Sequence, residues 1–130
     1  MSRDSIGDML TTIRNGYAAH KQSVLLPHSK LREEVARKLE SLGYLSLVEV
    51  NNEEKFKRLY LELKYENGEP VLRELRRVSK PGLRLYKGKR KIRKVLSGLG
   101  FSILTTPKGI LSGQEARKEG VGGEIMCEGW

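Results

Sequence analysis

Cysteine is nearly absent from this 130-residue chain: Cys127 stands alone, so no internal disulfide and no all-cysteine metal site can form. Aromatic residues amount to 6% and are not spaced as a platform on which successive bases would stack. No apolar run approaches the roughly 18 residues that span a bilayer. The first residues, MSRDSIGDML, carry Asp4 and Asp8 and no apolar signal core, so secretion is not indicated and a reduced, aqueous compartment is expected, cytoplasmic with an organellar one left open. Only two histidines occur, His20 and His28, and neither belongs to a nucleophile or metal constellation; both read as exposed loop side chains. Fourteen glycines form neither a Walker phosphate loop nor a dinucleotide-binding fingerprint. An enzyme, a cofactor and a small-molecule substrate are therefore not expected. Acidic charge is short as well. Against 16 Asp+Glu stand 25 Lys+Arg, giving a net charge of +9 and a pI near 9.8, a balance that favours a polyanionic partner.

That charge is unevenly placed. Residues 1–65 carry 11 basic and 9 acidic side chains, residues 66–130 carry 14 and 7. Between Arg73 and Lys94, Glu74 alone opposes Arg73, Arg76, Arg77, Lys80, Arg84, Lys87, Lys89, Arg90, Lys91, Arg93 and Lys94. Such a stretch repels itself unless an anion neutralises it; the plainer alternative is a solvated basic face. A membrane surface is the poorer partner, because Lys87-Gly88-Lys89-Arg90-Lys91 is interrupted by glycine and lacks an apolar face opposite.

The 38% hydrophobic content is patterned for a folded α+β protein. Ile6, Met9, Leu10, Ile13 and Tyr17 fall on one helical stripe, with Ser2 or Asp4 as N-cap and Asn15-Gly16 weakening its end. Val24–Leu26 reads as a strand. Ser29 caps a second helix that turns Leu31, Val35, Leu39 and Leu42 inward and stops at Gly43. A strand over 44–50, a turn over 51–54, and alternating Leu59, Leu61, Leu63 and Tyr65 complete a small three-stranded sheet. Glu66–Pro70 is the expected boundary, giving domains 1–65 and 66–130. Beyond it the spacing predicts strands over 71–78 and 83–86 around a Lys80-Pro81-Gly82 turn, a helical turn or two within 89–99, and a strand over 101–104. A capping-box helix then runs from Ser112 to Gly120, and a last strand covers 124–130. The expected architecture is an N-terminal α/β half, two helices on a three-stranded sheet, packed against a mostly β C-terminal half with short helices.

The loop Thr105-Thr106-Pro107-Lys108-Gly109 joins two hydroxyls, a rigid turn, a cation and a flexible glycine. Hydroxyls can bridge 2′-hydroxyls, base edges and phosphates, as recognition of an A-form minor groove requires, while Lys108 meets a phosphate; an ordinary strand-end turn is the competing reading. Tyr86 can stack on a base or sugar, or simply pack. Cys127, alternating with Ile125, reads as a small packed side chain.

Four blocks in order resemble one family. Asp8-Met9-Leu10-Thr11-Thr12-Ile13-Arg14-Asn15 looks like the opening of the bacterial-type ribosomal protein eight of the small subunit. Val78 to Tyr86, Gly98 to Gly109, and Gly120 to Trp130 are similar to its middle signature, its RNA-binding loop and its C-terminus. The resemblance implies a structural protein that binds a stem of the central domain of small-subunit ribosomal RNA, helps to assemble that domain, and has neighbouring ribosomal proteins as partners. It implies two domains, the C-terminal one making most RNA contacts. Carried over by position, Thr105, Thr106, Pro107, Lys108 and Gly109 would meet the stem, Tyr86 and Glu124 would support them, and Lys30 would make a secondary contact. Lys80, Arg84, Lys87, Lys89, Arg90 and Lys91 are the cations expected nearby. Thr105 stands where the family's loops often begin with Ser, keeping the hydroxyl and adding a methyl; Gly129 replaces a larger residue before the final Trp. The rival readings are a generic basic nucleic-acid-binding module and a translational repressor acting outside the ribosome.

Overall fold

A computed structural model describes residues 5–53, 55–79, 86–88, 92 and 94–130, and these form an α+β architecture of helices and antiparallel sheets. The chain divides into two compact units, Asp8–Leu72 and Arg73–Trp130, the latter grouped with Met1–Gly7. The expected division after Tyr65 lies within the first unit. There β4 (Tyr65–Glu66) and β5 (Glu69–Pro70) make a hairpin whose turn residues, Asn67 and Gly68, both have positive φ, 52° and 79°. The Val71 N–H then bonds to Lys64 O at 3.1 Å and Leu72 is buried, which ties the chain to this unit past Pro70.

From Asp8 onward α1 (Ser5–Ala18) belongs to the first unit, where it places Met9, Leu10, Ile13 and Tyr17 on one buried stripe. The proposed caps of α1, Ser2 and Asp4, lie outside the described residues. Gly16 continues the helix rather than weakening it: an added Cβ would lie 2.7 Å from Val24 Cγ1, so the bare backbone lets α1 approach β1 (Ser23–Pro27). Ser29 caps α2 (Lys30–Ser41) by accepting the Arg32 N–H, and Gly43 ends it at φ 90°. Leu31 does not turn inward; it is exposed. Val35, Ala36 and Leu39 set the centre of the buried stripe, and at 100° per residue this centre passes over Arg32 and leaves Leu31 at its edge. The buried Arg32 donates from Nη1 to Pro27 O at 2.8 Å, which satisfies a charge the core could not otherwise hold. The second strand, β2 (Leu47–Asn51), starts three residues later than expected, because Tyr44 still bonds back to Leu39 O in the helix stop. It pairs with β3 (Arg58–Glu62), which also pairs β1, giving the order β1-β3-β2. His28 is no exposed loop histidine: its Nε2 lies 2.8 Å from Glu33 Oε1, and it is half-buried.

The second unit centres on β10 (Gly123–Gly129). One edge of β10 pairs β6 (Leu75–Arg77) and, farther back, β7 (Tyr86–Lys87). Its other edge pairs β8 (Phe101–Thr106), which pairs β9 (Gly109–Ser112). Of the strand expected over 71–78 only 75–77 is extended in pairing, since Arg73 and Glu74 both donate their N–H to Trp130 O, the splayed end of β10. The Lys80–Gly82 turn and most of the 83–86 strand lie outside the described residues. Among the described residues of 89–99 the helical turn is one 3-10 turn, Val95–Gly98. The capping box is present as read, with Ser112 and Glu115 exchanging hydrogen bonds at the start of α3 (Gly113–Glu119) and Gly120 left-handed after it. Leu104, Leu111 and Ile125, register partners across β9-β8-β10, pack against Ala116 of α3 and Ile92.

Candidate nucleic-acid interface

With one face of the second sheet on α3, the residues between the core positions point the other way. The register lines them up. Glu124 of β10 pairs Tyr86 of β7 on one side and Thr105 of β8 on the other, and Thr105 pairs Ile110 of β9. Opposed residues in antiparallel strands share a face, with Cβ atoms about 4.5–5.5 Å apart. Tyr86, Glu124, Thr105 and Ile110 are therefore one row across four strands, although up to 38 sequence positions separate its members. Tyr86 is 67% exposed and Thr105 is exposed, while Glu124 is half-buried between them. Two further features hold the row. A bulge between Ile125 and Cys127 shifts the register of β10, so Glu124 and Cys127, three residues apart, come to the same face opposite Thr105 and Ile103, the first pair at the open end of the sheet and the second buried. At Gly123 an added Cβ would run into the Thr105 carbonyl oxygen, and at Gly122 into that of Lys87, so only glycines let β10 lie this close to its neighbours.

Glu124 is itself oriented. The buried Ser79 donates from Oγ to Glu124 Oε2 at 2.5 Å, and Ser79 is fixed by its N–H bonding Ile125 O at 3.0 Å. The result is a carboxylate held beside an exposed aromatic ring and an exposed hydroxyl. Cys127 stays out of this chemistry: complete burial, helped by the nearby Glu128 carboxylate, pushes its thiol up to about 12.

The segment read as a loop is a tight β8–β9 hairpin. Thr105 and Thr106 end β8, Pro107 and Lys108 make the turn, and Gly109 opens β9 at φ 108°. Pro107 cannot take the positive φ of the favoured two-residue turns, so the compensating twist falls on Gly109. Thr106 differs from its neighbour. It is 8% exposed, its Oγ1 donates to Gly109 O at 2.8 Å, and the same oxygen accepts the Lys108 N–H at 3.1 Å. Its one proton is therefore spent inside the turn, and Thr105 carries the outward hydroxyl. Lys108 Nζ lies 3.2 Å from Glu119 Oε2 at the end of α3, a half-exposed pair that a phosphate could replace at little cost.

The chain matches the model of the family described as ribosomal protein S8 over residues 4–130. It is 48% identical over 128 residues to the small ribosomal subunit protein uS8 of Acidobacterium capsulatum, covering 98% of this chain and 97% of that protein. Identity is 47% with the uS8 of Tolumonas auensis and 49% with that of Erythrobacter litoralis, each over 125 residues, covering 96% of this chain and 95% of the relative. The chain belongs to the ribosomal protein S8 family.

For this S8-family chain the structure brings Thr105, Thr106, Pro107, Lys108, Gly109, Tyr86, Glu124 and the exposed Lys87 into one part of the second unit. Lys30 is exposed on the first turn of α2, in the other unit. Lys80, Arg84, Lys89, Arg90 and Lys91 lie outside the described residues. Not all of the basic excess is available to an anion: Arg76 lies over the Trp130 ring at 4.8 Å and pairs Glu128 at 3.5 Å. Sequence reasoning missed Ser79 and Gly123. Nothing local marks Ser79, but paired glycines opening a strand are a recognised sign of close backbone approach.

Proposed function

We propose that the protein is a non-catalytic structural constituent of the small ribosomal subunit that binds a stem of the central domain of the small-subunit RNA directly and helps that domain to assemble. The observation that carries this reading is the cross-strand row Tyr86–Glu124–Thr105 beside the Pro107–Lys108 turn. A wide, shallow A-form minor groove offers 2′-hydroxyls and base edges to groups of this kind. Thr105 both donates and accepts there; Glu124 accepts from a 2′-hydroxyl or an exocyclic amine; Tyr86 stacks on a sugar or a displaced base. A carboxylate repels phosphates, so Glu124 admits the sugar edge of the stem and turns the backbone toward Lys87 and Lys108. Thr106 and Ser79 act by position, one fixing the turn and one fixing the carboxylate. In this reading the C-terminal domain, residues 66–130, makes the primary contact, Lys30 of the N-terminal domain makes a secondary one, and neighbouring subunit proteins complete the surroundings in the cytoplasmic ribosome.

Titration of the purified protein with the stem and with a regular duplex of equal length, at matched salt, tests this. At least a hundredfold preference for the stem is expected. Equal affinity with a steep salt dependence would leave only a generic cationic binder.

A further inference from the structure

The three-stranded sheet of the first unit also has two faces. Val24, Leu26, Val48, Leu59 and Leu61 are buried. Their neighbours along the strands form the opposite face, in the rows Leu25–Tyr60–Glu49 and Ser23–Glu62–Leu47. Leu25 is 45% exposed there. A groove of about 630 Å³ borders this face, lined among others by Leu47, Glu49, Asn51, Glu53, Tyr60 and Glu62. Tyr60 donates its hydroxyl to Glu62 Oε2 at 3.2 Å, which holds ring and carboxylate together. Among the described strand residues Arg58 is the cation on this face, in the next row with Pro27 and Asn51. In a chain of net charge +9, a face with Glu49, Glu53 and Glu62 around an aromatic ring repels RNA and attracts the opposite sign.

We infer that this outer face is a docking surface for an arginine-rich, partly aliphatic segment of a neighbouring protein. A guanidinium laid on the Tyr60 ring reaches the carboxylates on either side: Glu49 is directly opposite across β2–β3, and Glu62 is two residues along the same strand. Planar fork geometry suits arginine better than lysine at such a site. Aliphatic side chains of the segment cover Leu25 and Leu47, which no purely ionic partner would do. The inference rests on the proposed ribosomal role only for where the neighbour is met; the chemistry of the face is independent of it.

The test is a titration of the full, nitrogen-15-labelled chain with an acetylated seven-residue peptide alternating arginine and leucine, followed by amide shifts. Because the protein as a whole repels a cation, binding has to be local. Saturable shifts confined to residues 23–27, 47–53 and 58–62 are expected, with affinity about fivefold weaker in the Glu49→Gln/Glu62→Gln variant and in Tyr60→Leu. A peptide with glutamate in place of arginine should shift nothing. Absent shifts, shifts on other surfaces, or unchanged affinity in the variants would overturn the inference. So would the ribosomal stem shifting these same amides, since the face would then be an RNA surface. Stem affinity is measured on the same samples: peptide binding without stem preference defeats the proposed function alone, and the converse defeats this inference alone.

Discussion

The two units solve one packing problem in the same way and end with opposite surfaces. Each has an antiparallel sheet with one buried face; the opposite face is open in the first, and in the second it is open at Tyr86 and Thr105 but buried at Ile103 and Cys127. On the first unit the open rows read Leu25–Tyr60–Glu49 and Ser23–Glu62–Leu47. On the second, the open row reads Tyr86–Glu124–Thr105–Ile110. Both rows hold a tyrosine beside a glutamate. What separates them is the company: further carboxylates around Tyr60, but a hydroxyl, a two-residue turn and the basic stretch around Tyr86. Architecture alone therefore says little about partner choice, which under the proposed function falls to the residues of the open row and the turn beside it.

The most damaging way to test this contrast is to pull the second sheet apart. Gly123→Ala places a methyl against the Thr105 carbonyl, a backbone atom that cannot rotate away. It should destabilise by about 3 kcal/mol in thermal unfolding and abolish stem binding. Leu61→Ala, which empties a fully buried site in the first unit, should destabilise by about 2–5 kcal/mol yet leave stem affinity unchanged below its unfolding temperature. Next come the two threonines. Thr105→Ala should weaken stem binding by about 1–2 kcal/mol with stability unaltered, whereas Thr106→Ala should lower stability by about 1 kcal/mol as well, because its hydroxyl closes the turn. Equal effects on stability would erase the distinction between the outward and the inward hydroxyl. Lys87→Ala should reduce the slope of log affinity against log salt by up to about one ion, on any RNA.

The smallest effect belongs to the first unit. Hydrogen bonds from His28 and then Arg37 hold the Glu33 carboxyl below the usual carboxylate value. A lowered folded value means the stabilisation is complete above the unfolded carboxylate range and is lost as pH falls through the folded value. Glu33→Gln should therefore cost about 0.5 kcal/mol near neutrality and nothing measurable in strong acid, as read from urea unfolding at several pH values.

Local signals in the sequence were reliable where local physics decides the outcome. Ser29 and Gly43 bracket α2, and Ser112 with Glu115 start α3, because a cap is settled by four or five neighbouring residues. The residue types of Thr105 to Gly109 and of Tyr86 make them candidates on their own, and the resemblance of four ordered blocks adds Glu124. No local rule, however, shows that these residues share a row, since that depends on pairing across β7, β10 and β8 and on the bulge that re-aims β10. The separate duties of Thr105 and Thr106 were hidden for the same reason: strand alternation and a two-residue turn decide which hydroxyl faces out. An apolar residue at i−4 from Val35 looks inward on spacing, yet the stripe centre passes over Arg32 and leaves Leu31 exposed.

Mapping the stem onto the protein by amide shifts tests the central contrast most directly. The account predicts that the RNA perturbs residues 86–88, 105–109 and 123–124, and that the open face of the first sheet stays silent. Shifts concentrated on 23–27, 47–51 and 58–62, with residues 105 and 124 unmoved, would contradict it.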